Sequence, residues 1–372
     1  MQPVFHKYDI WRHFYKTPYI VLNQRISVNK FYDGNNIKTF KYLDFENKID
    51  EFIDLLQCHY IESDRVLVTA SKETFRSYFT GQNNTSFISI YREKVNENID
   101  NQMLLVKPPI LGCISSRAIN VFFENIKSSV YFIDHICIHR NFKSKSNYKN
   151  IVYKLIQTHE YNQRCKNPDI KISLFKKEMD LIEGVVPLIK YNKYLFHLHP
   201  LTKRPILPSH TTCVRILKTN LDLILDFLVN VRSIFTFGAI SDIGNITTLI
   251  NNNEIYIYCL LKGKQKLAYY FFKNSQIQYE DIGGNVFEFM GSYNNTKSGD
   301  LFFSGFLYAI NSIRKVHIFH MLLYENVSHN VYLLDRMLKC HHIILQNECV
   351  YYLHNYIIPK SPLIADDCFF LF

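Results

Sequence analysis

The chain has 372 residues, 47% hydrophobic and 20% charged, with only 12 Gly and 11 Pro; this excludes a linker-rich or low-complexity protein and exceeds one ordinary core, so two domains or a fused pair are expected. The net charge of +10 comes from Lys and Arg spread along the chain without a block of like charge, which argues for a solvated basic surface and against a nucleic-acid-binding protein. Nine cysteines, odd in number and without a CxxC pair, argue against a disulfide framework or a zinc ribbon and for a reducing, cytoplasmic setting.

In chain order, MQPVFHKYDIWRHF mixes charges and aromatics where a signal peptide needs an unbroken apolar run, and Met1 stands close before Tyr8, which is read as the absence of a long N-terminal extension. No segment is long and apolar enough for a transmembrane span. Residues 1–45 read as irregular. Ile49–Cys58 is a predicted helix, with Ile49, Phe52, Ile53 and Leu56 on one face, and Lys72–Tyr78 is a second. Ser86–Arg92, Met103–Val106, Ile110–Ser115 and Ile119–Phe123 read as strands, the last turning at Glu124-Asn125 into a strand that begins near Val130.

That strand, running to His139, alternates. Phe132, Asp134, Ile136 and Ile138 are expected on one face and Ile133, His135, Cys137 and His139 on the other. A basic turn follows, with Lys143, Ser144, Lys145 and Ser146, and then helical spacing in Ile151, Val152, Leu155 and Ile156. A basic turn feeding a helix N-terminus gathers free N–H groups and the positive end of the helix dipole, so it suits a large anion such as the pyrophosphate of coenzyme A. Helices, antiparallel strands, then strand, basic turn and helix form the outline of an acyl-CoA-binding α/β fold.

The proline-bearing stretch from Pro200 to Thr212 marks a domain boundary, dividing 1–205 from 206–372. Beyond it the outline repeats: a helix at Leu221–Val231, strands at Glu254–Leu261 and Lys266–Phe272 around a Lys262-Gly263 turn, a helix at Leu301–Ile313, a strand at Val316–Tyr324 and another at Val350–Tyr356. Element order, without a residue-level repeat, points to an internal duplication.

Several segments resemble the eukaryotic N-myristoyltransferases. IDHICIHRNFKSK at Ile133–Lys145 is similar to that family's INFLCVHKKLRSK, and Leu111-Gly112-Cys113-Ile114-Ser115 to its GFIS strand. Leu55–Asp64 resembles LLNENYVEDDD, Tyr8-Asp9-Ile10-Trp11 its aromatic group over the cofactor, Gly184-Val185-Val186-Pro187 its GVVLP, and Glu325-Asn326 and Tyr351–Asn355 its MEN and YYLYN segments. The likeness runs in order along nearly the whole chain. It implies an α/β (α+β) fold of two tandem acetyltransferase-like halves related by pseudo-twofold symmetry, with a mixed central sheet flanked by helices. It implies transfer of a myristoyl group from myristoyl-CoA to the N-terminal glycine of a peptide, the first half holding acyl-CoA and the second most of the peptide groove. Glycine-initiated proteins are the implied partners, no metal is implied, and a monomer is expected. Heavy Asn, Ile, Lys and Tyr usage fits an AT-rich genome and, with the divergence, a viral protein.

The reaction is aminolysis of a thioester, and charge grows on the carbonyl oxygen as nitrogen attacks. A preorganised backbone donor there contributes ~3 kcal/mol. By resemblance these donors are the amides of His135 and Ile136; the His135 side chain is read as a satisfied strand histidine. The resemblance places phosphates at Lys143, Ser144, Lys145, Ser146, Asn147 and Tyr148, and the rest of the cofactor near Tyr8, Ile10, Trp11 and Ile133. Gly184, His197 and Tyr352 fall on its peptide side. Its base is the C-terminal carboxylate, here that of Phe372. A free carboxylate is ~6 kcal/mol short of an amine in basicity, and burial in Phe369-Phe370-Leu371-Phe372 narrows the gap. The sequence departs from the family at Ile182, Leu322 and Gln346, where peptide-side polar groups are expected, which keeps a catalytically silent homologue that binds acyl-CoA or an acylated partner as the alternative.

Overall fold

The computed structural model describes residues 18–21, 27–61, 65–93, 108–143, 148–178, 185–198, 205–280 and 284–372. Its strands, in chain order, are β1 (Tyr19–Ile20), β2 (Ile37–Lys41), β3 (Val66–Val68), β4 (Phe87–Tyr91), β5 (Gly112–Phe123), β6 (Ile126–Ile138), β7 (Ser173–Glu178), β8 (Ile189–His197), β9 (Thr211–Arg215), β10 (Phe237–Ile240), β11 (Ile255–Lys262), β12 (Gln265–Tyr279), β13 (Gly284–Asn294), β14 (Phe319–Glu325), β15 (His342–His354), β16 (Tyr356–Ile357) and β17 (Cys368–Leu371). Apart from the small β1–β16 pair, they form one 15-stranded mixed sheet.

The outline does repeat. β4, β5 and β6 run antiparallel, the helix Tyr148–Lys166 follows, and β7 returns parallel to β6. β11, β12 and β13 run antiparallel, the helix Gly299–Arg314 follows, and β14 returns parallel to β13. The halves then exchange their last strands: β8 pairs with β14, β15 pairs with β7, and β8 and β15 pair with each other. This exchange makes the sheet continuous. β10 and β17 also cross over, extending the first half through β5.

The helices form where apolar spacing demands. Ile49, Phe52, Ile53, Leu55 and Leu56 of the helix Ile49–His59 are buried, as are Phe302, Phe306, Ala309, Ile310 and Ile313 of Gly299–Arg314, whose N-cap Ser298 accepts from the Leu301 N–H at 3.2 Å. The helix Lys72–Phe79 ends in a turn where Gly81 adopts φ +77°, and a Cβ there would lie 2.6 Å from the backbone of Asn245. Only glycine fits this contact with the helix Ile243–Asn251 of the second half. No helix among the described residues is long and apolar enough to cross a membrane.

Several predicted boundaries change. The two strands expected at Ile110–Ser115 and Ile119–Phe123 are one strand, β5, because Ser116 and Arg117 between them are buried rather than turned out. Lys266–Phe272 lengthens into β12, and the strand expected at Val350–Tyr356 is the end of the longer β15, which stops at His354 and leaves Tyr356 in β16; the far portions of β12 and β15 are partly polar and more exposed. Within 1–45, Ile37–Lys41 is a strand rather than irregular chain. The strand expected at Met103–Val106 lies outside the described residues.

Candidate active site

The site begins with a defect in β6. Ser115 of β5 faces Asp134, but Cys113 faces Cys137, so Ile114 alone opposes both His135 and Ile136. This is a bulge, and His135 adopts φ +52°, a conformation unusual for any residue but glycine. The bulge shifts the alternation. Ile133 and Ile138, expected on opposite faces, both pack in the cluster with Ile151 and Leu155 of the following helix. On the other edge, β7 pairs only with Tyr131–Ile133. His135 and Ile136 are therefore outside the register of both neighbouring strands, and Ile136 is exposed.

A cavity of about 640 Å³ opens beside the bulge, within the size range of ligand sites. One end is apolar, with Leu56, Val68, Ala70 and Phe75; the middle carries Phe132, Ile133, Asp134 and His135; the other end is charged. The chain terminus forms part of the wall. β17 runs parallel to β10, and Phe372 is buried with its ring 4.4 Å from that of Phe132. Next to it, Arg117 is fully buried. Its guanidinium lies 3.8 Å from the Tyr78 ring and 5.7 Å from the Phe372 ring, and its Nη1 donates to Asn245 Oδ1 at 3.1 Å and Ser241 Oγ at 3.3 Å.

Asp134 and His135 organise the middle. Asp134 accepts from the Tyr78 hydroxyl at 2.8 Å, the His135 backbone N–H at 2.8 Å and the Tyr60 hydroxyl at 3.5 Å. Burial works to raise its pKa, but the charge of His135, the Tyr78 hydroxyl, Lys273 and the His135 N–H hold it below the ordinary carboxylate value. The His135 ring lies among Phe52, Phe75, Tyr78 and Phe79, with Nδ1 2.7 Å from Ser115 Oγ. Burial pushes its pKa down, against the pull of Asp134.

At the charged end Lys176 pairs with Glu325 and lies 3.8 Å from Glu288, while Lys193 pairs with Glu178 at 2.6 Å. Tyr191 donates to Glu325 at 2.7 Å. Burial favours the neutral form of both carboxyls. Lys176 and Lys193 nevertheless bring Glu288 down to about 2, whereas Glu325 stays above the ordinary range. Alternating buried charges of this kind suit a polar chain rather than an acyl tail.

Of the expected site residues, Ile133, His135 and Phe372 line one cavity, with Ile136 beside it on the bulge. His197 and Tyr352 do not line it. His197 ends β8 beyond the cavity-lining Lys193, Tyr194 and Leu195, and Tyr352 is stacked on Phe175 while its neighbour Tyr351 turns to the cavity. Tyr148 begins the helix Tyr148–Lys166, and Lys143 closes the turn Arg140–Lys143. Tyr8, Ile10, Trp11, Ser144, Lys145, Ser146, Asn147, Ile182 and Gly184 lie outside the described residues. Leu322 is a core residue and Gln346 is exposed. Asp134, Lys176, Lys193, Lys273 and Glu288 also line the cavity and are not among the residues expected from the sequence. The lone carboxylate of Asp134 in the apolar run Val130–Ile138 was the available signal. Among the described residues no group of three or more His, Cys, Asp or Glu could hold a metal ion.

No family model and no curated protein matches the chain in sequence. Solved structures do match it. A structure of Saccharomyces cerevisiae N-myristoyltransferase with bound myristoyl-CoA is 12% identical, covers 91% of this chain and 86% of its own, and has a TM-score of 0.64. A second such structure is 12% identical over 93% of this chain and 84% of its own, with a TM-score of 0.62. A third, with myristoyl-CoA and inhibitors, is 12% identical over 93% and 86%, with a TM-score of 0.60. The chain thus has the α/β fold of these structures across nearly its full length.

Proposed function

We propose that this chain is an acyl-CoA-dependent acyltransferase that moves a myristoyl group from myristoyl-CoA to the N-terminal glycine of peptides, in the cytoplasm and without a metal. The observation that carries the reading is the bulge: two consecutive amides, His135 and Ile136, stand outside both adjacent ladders at a cavity that reaches the chain terminus. The fold shared with myristoyl-CoA-bound structures supports the choice of donor.

In this reading residues 1–205 hold the acyl-CoA and residues 206–372 supply most of the peptide groove. The acyl chain takes the apolar end near Leu56, Val68 and Phe75, and the peptide takes the charged end. The thioester oxygen turns to the freed amides, which hold the negative charge that grows as the amine attacks. The carboxylate of Phe372, at the buried end of the chain beside Arg117, accepts a proton released from that amine. Coenzyme A leaves as the free thiol. The test is release of free thiol from myristoyl-CoA, which should require a glycine-initiated peptide and stop when that peptide's N-terminus is acetylated. Thiol release that ignores the peptide would contradict the reading.

One observation favours a second reading, a silent homologue that binds acyl-CoA without transfer. The His135 N–H is already given to the Asp134 carboxylate, and a fixed anion there would repel an oxyanion. Tight myristoyl-CoA binding with no transfer, and transfer gained in Asp134→Asn, would select this alternative.

A further inference from the structure

We propose that the imidazole of His135 is a general base of the transfer reaction, taking a proton from the incoming amine at Nε2; this rests on the transfer reading above. A histidine that serves only the core satisfies both ring nitrogens, and this protein contains one. His159 is fully buried, with Nδ1 2.8 Å from Ser89 Oγ and Nε2 2.9 Å from Ser116 Oγ. His135 differs. Its Nδ1 meets Ser115 at 2.7 Å, while Nε2 has no hydrogen-bond partner among the described residues, and the ring lines the cavity.

The surrounding bonds fix which nitrogen is basic. Ser115 Oγ lies 3.3 Å from the Asp134 carbonyl and donates its hydrogen there. With that hydrogen on the Asp134 carbonyl, the same oxygen accepts from His135, which assigns the ring proton to Nδ1 and the lone pair to Nε2. The bulge and the φ of +52° are what aim this ring at the cavity, and backbone strain of this kind concentrates at functional sites. The groups facing the ring are Asp134 on its own strand, Arg117 on β5, Lys273 on β12, and Tyr60 and Tyr78 from the two helical segments packed above. Burial pushes the imidazole pKa down while Asp134 pulls it up, so the carboxylate steadies the imidazolium once formed.

The proton balance closes. The ammonium gives one proton to Nε2, and the freed lone pair attacks the thioester carbon. The C–S bond breaks, and the leaving thiolate takes the imidazolium's proton. The second excess proton on nitrogen passes by the Phe372 carboxylate to solvent, leaving amide and free thiol.

The test uses His135→Gly, which keeps the backbone amide and suits the positive φ, and His135→Gln, which keeps a donor for Ser115 without a base. Single-turnover transfer from myristoyl-CoA to a glycine-initiated peptide is followed against pH, together with myristoyl-CoA affinity. We expect both variants to be about a hundredfold slower, with affinity within twofold of wild type, loss of the histidine-governed acid limb, and partial rescue of His135→Gly by added imidazole. Wild-type rates and an unchanged pH profile in both variants would overturn the proposal while leaving the transfer reading intact. So would slowing that tracks lost affinity and is not rescued. Wild-type protein that binds myristoyl-CoA yet transfers nothing would overturn both.

Discussion

The backbone nitrogen of His135 lies 2.8 Å from Oδ1 of Asp134, so the amide proposed to hold the oxyanion already donates to a carboxylate. In the proposed reaction a thioester oxygen displaces it, leaving Asp134 on the Tyr78 hydroxyl. A charged acceptor is worth about 1 kcal/mol more than a neutral one at such a donor. Asp134→Asn is therefore expected to bind myristoyl-CoA roughly fivefold more tightly, measurable by calorimetry. The same change removes a charge that raises the His135 pKa, so the acid limb of the rate profile should move to lower pH. Weaker binding in this variant would show that the carboxylate assists the ligand rather than competing with it.

The chain terminus gives a separate prediction. Phe372 follows β17 directly and is buried against Phe132 and Tyr351, which hold the end of the chain in place. Amidating the terminus, or adding one residue after Phe372, is expected to abolish turnover while myristoyl-CoA affinity stays close to wild type. Unaltered turnover in the amidated protein would remove the carboxylate from the mechanism.

The charged end of the cavity should behave as a buried network. Lys176→Met leaves Glu325, which is almost fully buried, and its neighbour Glu288 without their closest cation. Denaturant unfolding should show a loss of about 3–5 kcal/mol. Adding Glu325→Leu should return part of that loss, because the uncompensated carboxyl goes with it. Additive losses in the double variant would contradict pairing.

Acid stability follows from His159. Burial holds its pKa down at about 3, below the ordinary 6.5. The folded form binds its proton less tightly than the unfolded chain, so the contribution is intact above pH ~6.5 and is lost as pH falls from there towards ~3, at up to ~1.4 kcal/mol per pH unit. His159→Gln should flatten the stability curve across that window. A variant with the wild-type slope would place the proton uptake elsewhere.

Much of the architecture is legible in the sequence because burial and period coincide. Ile49–Leu56 and Leu301–Ile313 announce their helices by spacing alone, and the repeated order of elements is visible without residue similarity. Two helices, Ile243–Asn251 and Val331–Cys340, were not expected; the first carries Ile246, Leu249 and Ile250 at helical spacing, but Gly244 and two β-branched threonines mask it. β5 looked broken because Ser116 and Arg117 interrupt its apolar run; only the tertiary contact with Tyr78 shows why an arginine is buried there. The bulge was not legible, since glycine or asparagine usually signals a positive φ and His135 does not. Without the bulge, alternation placed Ile138 on the wrong face and left Asp134 as one more strand residue. Of the turn Lys143–Tyr148, which the resemblance assigns to phosphates, residues 144–147 lie outside the described residues.

The most direct measurement is the intact mass of a glycine-initiated peptide after incubation with the protein and myristoyl-CoA. Transfer to the amine adds one myristoyl group at the N-terminal nitrogen, resistant to hydroxylamine as an amide should be, and none to the same peptide with a blocked N-terminus. A peptide of unchanged mass at every pH, from protein shown to bind myristoyl-CoA, would contradict it.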